Sequence, residues 1–139
     1  MSPRHVKDHY YHIYNHSIDG LRLFYTSENY NFLLGKIASS LWEYEVDLIA
    51  YCLMPNHYHF FARQLSETPL SSWIQSIFNS YSQALNHQLQ RHGTVFIVRA
   101  EHINVVIYSR NLRKVTTLGR LGYAFPLLPK TRILAATTF

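Results

Sequence analysis

Residues 10–17 read YYHIYNHS, aromatic and β-branched positions alternating with polar ones, and that period of two predicts a first strand. The period then changes. Tyr30, Leu33, Leu34, Ile37, Leu41 and Tyr44 recur at helical spacing behind Ser27, whose hydroxyl is the expected cap of an amphipathic helix. Residues 46–54 form an apolar run of strand length, Pro55-Asn56 is turn chemistry, and residues 57–62 return as a second strand, so the two are expected to pair as a hairpin.

A second helix is marked at both ends, with Thr68 as the expected N-cap, Pro69 at the first helical position and Gly93 past the end. Its apolar stripe is Leu70, Trp73, Ile74, Ile77, Phe78, Tyr81, Leu85 and Leu89. The other face carries Gln75, Asn79, Gln83, Asn86 and Gln90, amides that suit either plain solvation or contact with a polar polymer. Residues 94–98 and 102–106 read as short extended segments, and beyond Lys114 no sustained period continues, so 1–114 is expected to be one domain and 115–139 a segment of different, aberrant or truncated character. Strand, helix, strand, strand, helix, strand predicts an α+β fold of ferredoxin-like or RRM-like type, with helices on one face of a mostly antiparallel sheet.

Composition narrows the class without naming a function. The chain has 139 residues, 47% apolar and 15% charged, which suits one globular domain. A formal charge of +5 favours an acidic partner such as nucleic acid. Cys52 is the single cysteine, which excludes an internal disulfide and a cysteine-based zinc site and fits a cytoplasmic protein. No apolar stretch approaches the roughly 20 residues that cross a bilayer, and the first dozen residues lack a signal-peptide segment, so a soluble, unprocessed chain is expected. The 11 tyrosines and 9 histidines are more distinctive, because they supply flat hydrogen-bonding rings and candidate ligands.

His57 and His59 stand at alternate positions of the predicted second hairpin strand, so both project from one face, roughly 6.5 Å apart along the chain. Tyr58 and Phe60 are then expected in the core. Two imidazoles hold a divalent ion weakly unless a third ligand arrives from elsewhere, and surface or hydrogen-bonded histidines are the alternative. A water-activating hydrolase site would call for a further His or carboxylate close by, and HYHFFAR supplies none.

The stretch YCLMPNHYHFF at 51–61 resembles the Y-C-x-M-P-N-H-x-H signature of the REP-associated tyrosine transposases, a branch of the single-tyrosine HUH transposases, with Tyr58 in the bulky central place. HIYNHSIDG at 12–20 resembles the family's first strand and turn, and NSYSQALNHQLQRHGTVF at 79–96 its second helix and exit, with Arg99 where that exit carries an arginine. The resemblance spans about residues 5–106. It implies an RRM-like or ferredoxin-like domain that binds single-stranded DNA bearing a palindromic hairpin, holds Mg²⁺ or Mn²⁺ through His57 and His59, and transfers strands through a 5′-phosphotyrosine link. It leaves monomer and homodimer both open. Arg4, His5, Lys7, Arg91, His92 and Arg99 are the expected DNA contacts, solvated surface charge being the alternative for each.

The family's nucleophile lies in a Y-I-x-x-N-P pattern on a late helix. Tyr108 and Asn111 in IYSRN are the late pair that fits, as nucleophile and third metal ligand, and a spacing of three would place both on one helical face. Asn111 comes one residue too early, and no proline follows. A second alignment puts Val115 where the nucleophile belongs, which implies a binding module that cannot cleave, its late element lost by decay or by a shifted reading frame. Tyr81 is expected in the core, and Tyr123 has no neighbouring ligand.

Overall fold

The computed structural model describes residues 6–97 and the backbone of 106–108 and 137–138. In chain order these residues form β1 (Tyr10–His16), a 3-10 turn (Ile18–Gly20), α1 (Ser27–Ser40), β2 (Val46–Leu53), β3 (His57–Gln64), α2 (Leu70–Gln88), β4 (Val106–Tyr108) and β5 (Thr137–Thr138). The sheet order is β4-β1-β3-β2-β5. Its first four strands have the ferredoxin-like arrangement expected from the sequence, and the fold is α+β. The β1–β3, β1–β4 and β2–β3 pairs are antiparallel, while β5 joins β2 in parallel.

Alternation along β1 and β3 divides the sheet into two chemically different faces. Tyr11, Ile13, Tyr58, Phe60 and Ala62 are buried under the helices, while Tyr10, His12, Tyr14, His57, His59 and Phe61 are half-exposed on the other side. On the covered side Tyr58 stacks on Phe78 of α2 with ring centroids 4.1 Å apart, and Phe60 packs against Trp73 at 5.7 Å. Each such ring contributes about 1.5–3 kcal/mol when fully buried. A one-residue slip of β3 would expose both rings and bury both histidines, so the core fixes which way the histidines point.

The helices begin where tertiary partners allow. For α1 the N-cap is Thr26, not the expected Ser27, and Asn29 Oδ1 accepts the backbone N–H groups of Tyr25 and Thr26 at 2.8 and 3.1 Å. Helix α2 begins at Leu70 rather than Pro69, and Thr68 does not cap it. The buried Gln64 does so from the end of β3, its Oε1 accepting the Leu70 N–H at 3.2 Å. Trp73 Nε1 donates to Ser40 Oγ at 2.8 Å and ties α2 to the end of α1. After α2 the left-handed residue is Gln90 (φ +49), and Gly93 (φ +95) turns the loop that follows. Of the expected extended segment at 94–98, Phe96 makes a single bridge to Ser17. Residues 102–105 and 115–136 lie outside the described residues. Among the described residues no helix is long and apolar enough to cross a membrane.

Candidate functional site

The turn that carries the histidine pair is tied to the rest of the molecule by its backbone. Met54 N–H donates to the His57 carbonyl at 2.8 Å, Ser17 N–H to that of Asn56 at 2.9 Å, and Leu23 N–H to that of Pro55 at 2.6 Å. The tip of the β2–β3 hairpin is therefore clamped to the exit of β1, and His57 begins β3 on a rigid base. His57 and His59 share the open face as their spacing predicts, with ring centroids 5.2 Å apart and planes at 85°.

Each ring has its Nδ1 already engaged. His57 Nδ1 lies 2.8 Å from Asn56 Oδ1, and because that oxygen only accepts, the proton sits on Nδ1 and the Nε2 lone pair is left open. His59 Nδ1 lies 2.9 Å from Nε2 of His12 on β1. Among the described residues no hydrogen bond uses the Nε2 of either His57 or His59.

Strand β1 contributes more than the sequence reading gave it. Register sets His16 opposite His57 and Tyr14 opposite His59. The His16 and His57 rings stack at 5.2 Å, and His59 packs against His12 at 5.1 Å and Tyr14 at 5.6 Å. His12 and His16 were not singled out from the sequence. The signal was present: HIYNH places two histidines four apart, on one face of a strand as the two of HYH are, and pairing in this register brings the two sets together.

Burial biases three of these rings, His12, His57 and His59, toward the neutral form. Burial, followed by repulsion from His16, lowers the His57 pKa. Burial, then His12, His57 and His16 in that order, lowers that of His59, and burial alone lowers that of His12. Neutral imidazole is the form that ligates metal. Two adjacent imidazoles whose Nε2 atoms make no hydrogen bond among the described residues fit a divalent ion as a partial donor set. Among the described residues no third His, Cys, Asp or Glu completes it.

Residues 5–105 match the family model described as "Transposase IS200 like". The chain belongs to that family. Among solved structures, the IS200-like chain is similar to that of a REP-associated tyrosine transposase bound to a REP hairpin, with a TM-score of 0.61 and 15% identity, over 77% of this chain and 60% of that one. This chain thus spans about 60% of the length of that transposase. No curated protein matches it.

Of the other expected site residues, Tyr108, Lys7, Arg91 and His92 are among the described residues. Tyr108 ends β4 opposite Tyr10, on a strand rather than the expected late helix. The reason is local: VVIY is β-branched and aromatic, and the edge of β1 offers it a partner. Asn111, Arg4, His5, Arg99 and Tyr123 lie outside the described residues. Lys7 and His92 are exposed. Arg91 is half-buried and braces the α2 exit, its guanidinium donating to Asn86 Oδ1 at 2.8 Å and the Thr94 carbonyl at 3.2 Å. Tyr81 is 1% exposed and its hydroxyl donates to the Leu23 carbonyl, so it is a core residue.

Proposed function

We propose that this IS200-like transposase domain binds single-stranded DNA bearing a palindromic hairpin and cleaves and rejoins it with a divalent ion, Mg²⁺ or Mn²⁺, held by His57 and His59. The observation that carries the proposal is the pair of unengaged Nε2 atoms on adjacent rings, each with its Nδ1 already anchored. An ion there supplies Lewis-acid polarisation of the scissile phosphate. The hydroxyl of Tyr108 attacks phosphorus as its proton leaves, the bond to the 3′ oxygen breaks, and a 5′-phosphotyrosine and a free 3′ hydroxyl result. Attack by that hydroxyl reverses the link, so strands rejoin without an external energy source. The hairpin-bound state of the similar transposase supports hairpin DNA as the partner.

A second reading, a module that binds hairpin DNA without cleaving it, is favoured by the register of β4. Tyr108 pairs with Tyr10, four residues along β1 from Tyr14, the partner of His59. That is roughly 13 Å along the strand.

An oligonucleotide carrying a palindromic hairpin, incubated with the protein and Mn²⁺, separates the two. The transposase reading expects a covalent protein–DNA adduct, lost in Tyr108→Phe and in His57→Ala. An adduct that survives Tyr108→Phe rejects Tyr108 as nucleophile. Salt-dependent binding with no adduct establishes the binding module instead.

A further inference from the structure

We propose that His12 is a positioning residue for the metal site: its Nε2 accepts the Nδ1 proton of His59 and so fixes His59 in the tautomer whose Nε2 can ligate. The proposal rests on the reading of His57 and His59 as ligands. Its basis is the 2.9 Å contact between the two nitrogens, made across the β1–β3 pair by rings that lie end to end, centroids 5.1 Å apart and planes within 20°, so that the bond runs in the ring planes.

Only one nitrogen of a neutral imidazole carries a proton, and the contact can be made in two senses with opposite consequences. If His12 donates, His59 holds its proton on Nε2 and cannot bind an ion through that atom. If His59 donates, its Nε2 lone pair is free. The second sense matches the neighbouring ligand, because Asn56 Oδ1 can only accept and fixes His57 as the Nδ1–H form. The two ligands then have the same tautomer, each set by a different outer partner, a side-chain amide from the turn and an imidazole from β1. Outer partners of this kind orient a ligating ring and hold its tautomer.

The backbone explains why His12 can do this although it is not opposite His59. Tyr14 is the register partner of His59, and His12 partners Phe61. His12 therefore reaches His59 along the diagonal of an antiparallel pair, a separation that a long planar side chain spans. Tyr14 packs against both rings, at 5.3 Å from His12 and 5.6 Å from His59.

The test has a readout that needs neither metal nor DNA. Long-range proton–nitrogen NMR of the metal-free protein, at a pH where the rings are neutral, reports which nitrogen of each histidine is protonated. The expected result is the Nδ1–H form for both His57 and His59 in the wild type. In His12→Ala and His12→Phe the His59 signal moves toward the Nε2–H form while His57 is unchanged, and in His12→Gln, whose amide oxygen can accept in place of Nε2, the Nδ1–H form is kept. Mn²⁺ affinity, followed by water-proton relaxation, should fall about 10- to 100-fold in the Ala and Phe variants and recover in Gln. Ala empties the position, Phe fills it without an acceptor, and Gln restores an acceptor without a ring, so a loss in Ala and Phe that Gln reverses follows the acceptor and not the packing. An Nε2–H His59 in the wild type, or a His59 tautomer indifferent to His12→Phe, overturns the proposal. A wild type that binds no Mn²⁺ overturns the ligand reading itself, and the tautomer measurement still decides the contact.

Discussion

Asn56 Oδ1 stands 2.8 Å from His57 Nδ1, so the residue that turns the hairpin also holds the first histidine of the pair. The backbone of Asn56 anchors the turn separately, through its carbonyl to Ser17 N–H. The two duties can therefore be separated by substitution. Asn56→Ala should leave the fold and the turn intact and lower Mn²⁺ affinity about 10-fold or more, measured by titration against the wild type. An unchanged affinity would mean that His57 needs no outer partner.

The core joint between the helices should behave in the opposite way. Ser40→Ala removes the acceptor of the fully buried Trp73 Nε1–H and should cost about 1–3 kcal/mol in urea unfolding. Metal and DNA affinities of the folded variant should not move, because Ser40 lies on the side of the sheet away from the histidines.

Acid should destabilise the metal-free protein through the open face. His12, His57 and His59 all have pKa values lowered by burial from the ordinary 6.5. Below that value the unfolded chain binds more protons than the folded one. The contribution is thus fully present above about pH 6.5 and is lost as pH falls through the lowered folded values. Urea midpoints in chelator between about pH 7.5 and about pH 5 should show the drop, and it should shrink in His57→Gln/His59→Gln. An equal drop in that variant would assign the acid sensitivity elsewhere.

Two basic residues expected at the DNA should separate by assay. Lys7 is exposed, and Lys7→Ala should reduce the salt slope of oligonucleotide binding by about 0.7 with no change in melting temperature. Arg91 braces the loop after α2, so Arg91→Ala should lower stability by about 1 kcal/mol as well as binding. Equal melting temperatures for the two variants would show the brace to be idle.

Strands β1, β2 and β3, the two long helices and the outward aim of His57 and His59 were legible because each depends on a local period. Apolar positions two apart specify a strand face, and positions three and four apart a helix stripe. The helix starts were less legible. Ser27 and Thr68 carry the right chemistry, yet Thr26 caps α1 and Gln64, six residues before Leu70, caps α2. A side chain that arrives from another element leaves no mark at the cap position itself. Tyr108 shows the same limit: a spacing of three with Asn111 suggested a helix, but the open edge of β1 offered VIY a ladder.

What the sequence determined by itself was therefore the alternation that sends Tyr58 and Phe60 inward and their histidine neighbours outward, since a pleated backbone turns consecutive side chains to opposite faces. What only the tertiary structure decided was the company those histidines keep. His12 and His16 lie more than forty residues away along the chain, and they meet His59 and His57 because β1 and β3 pair in one register and no other. That register is held by rings buried beneath the helices, through contacts distant in sequence.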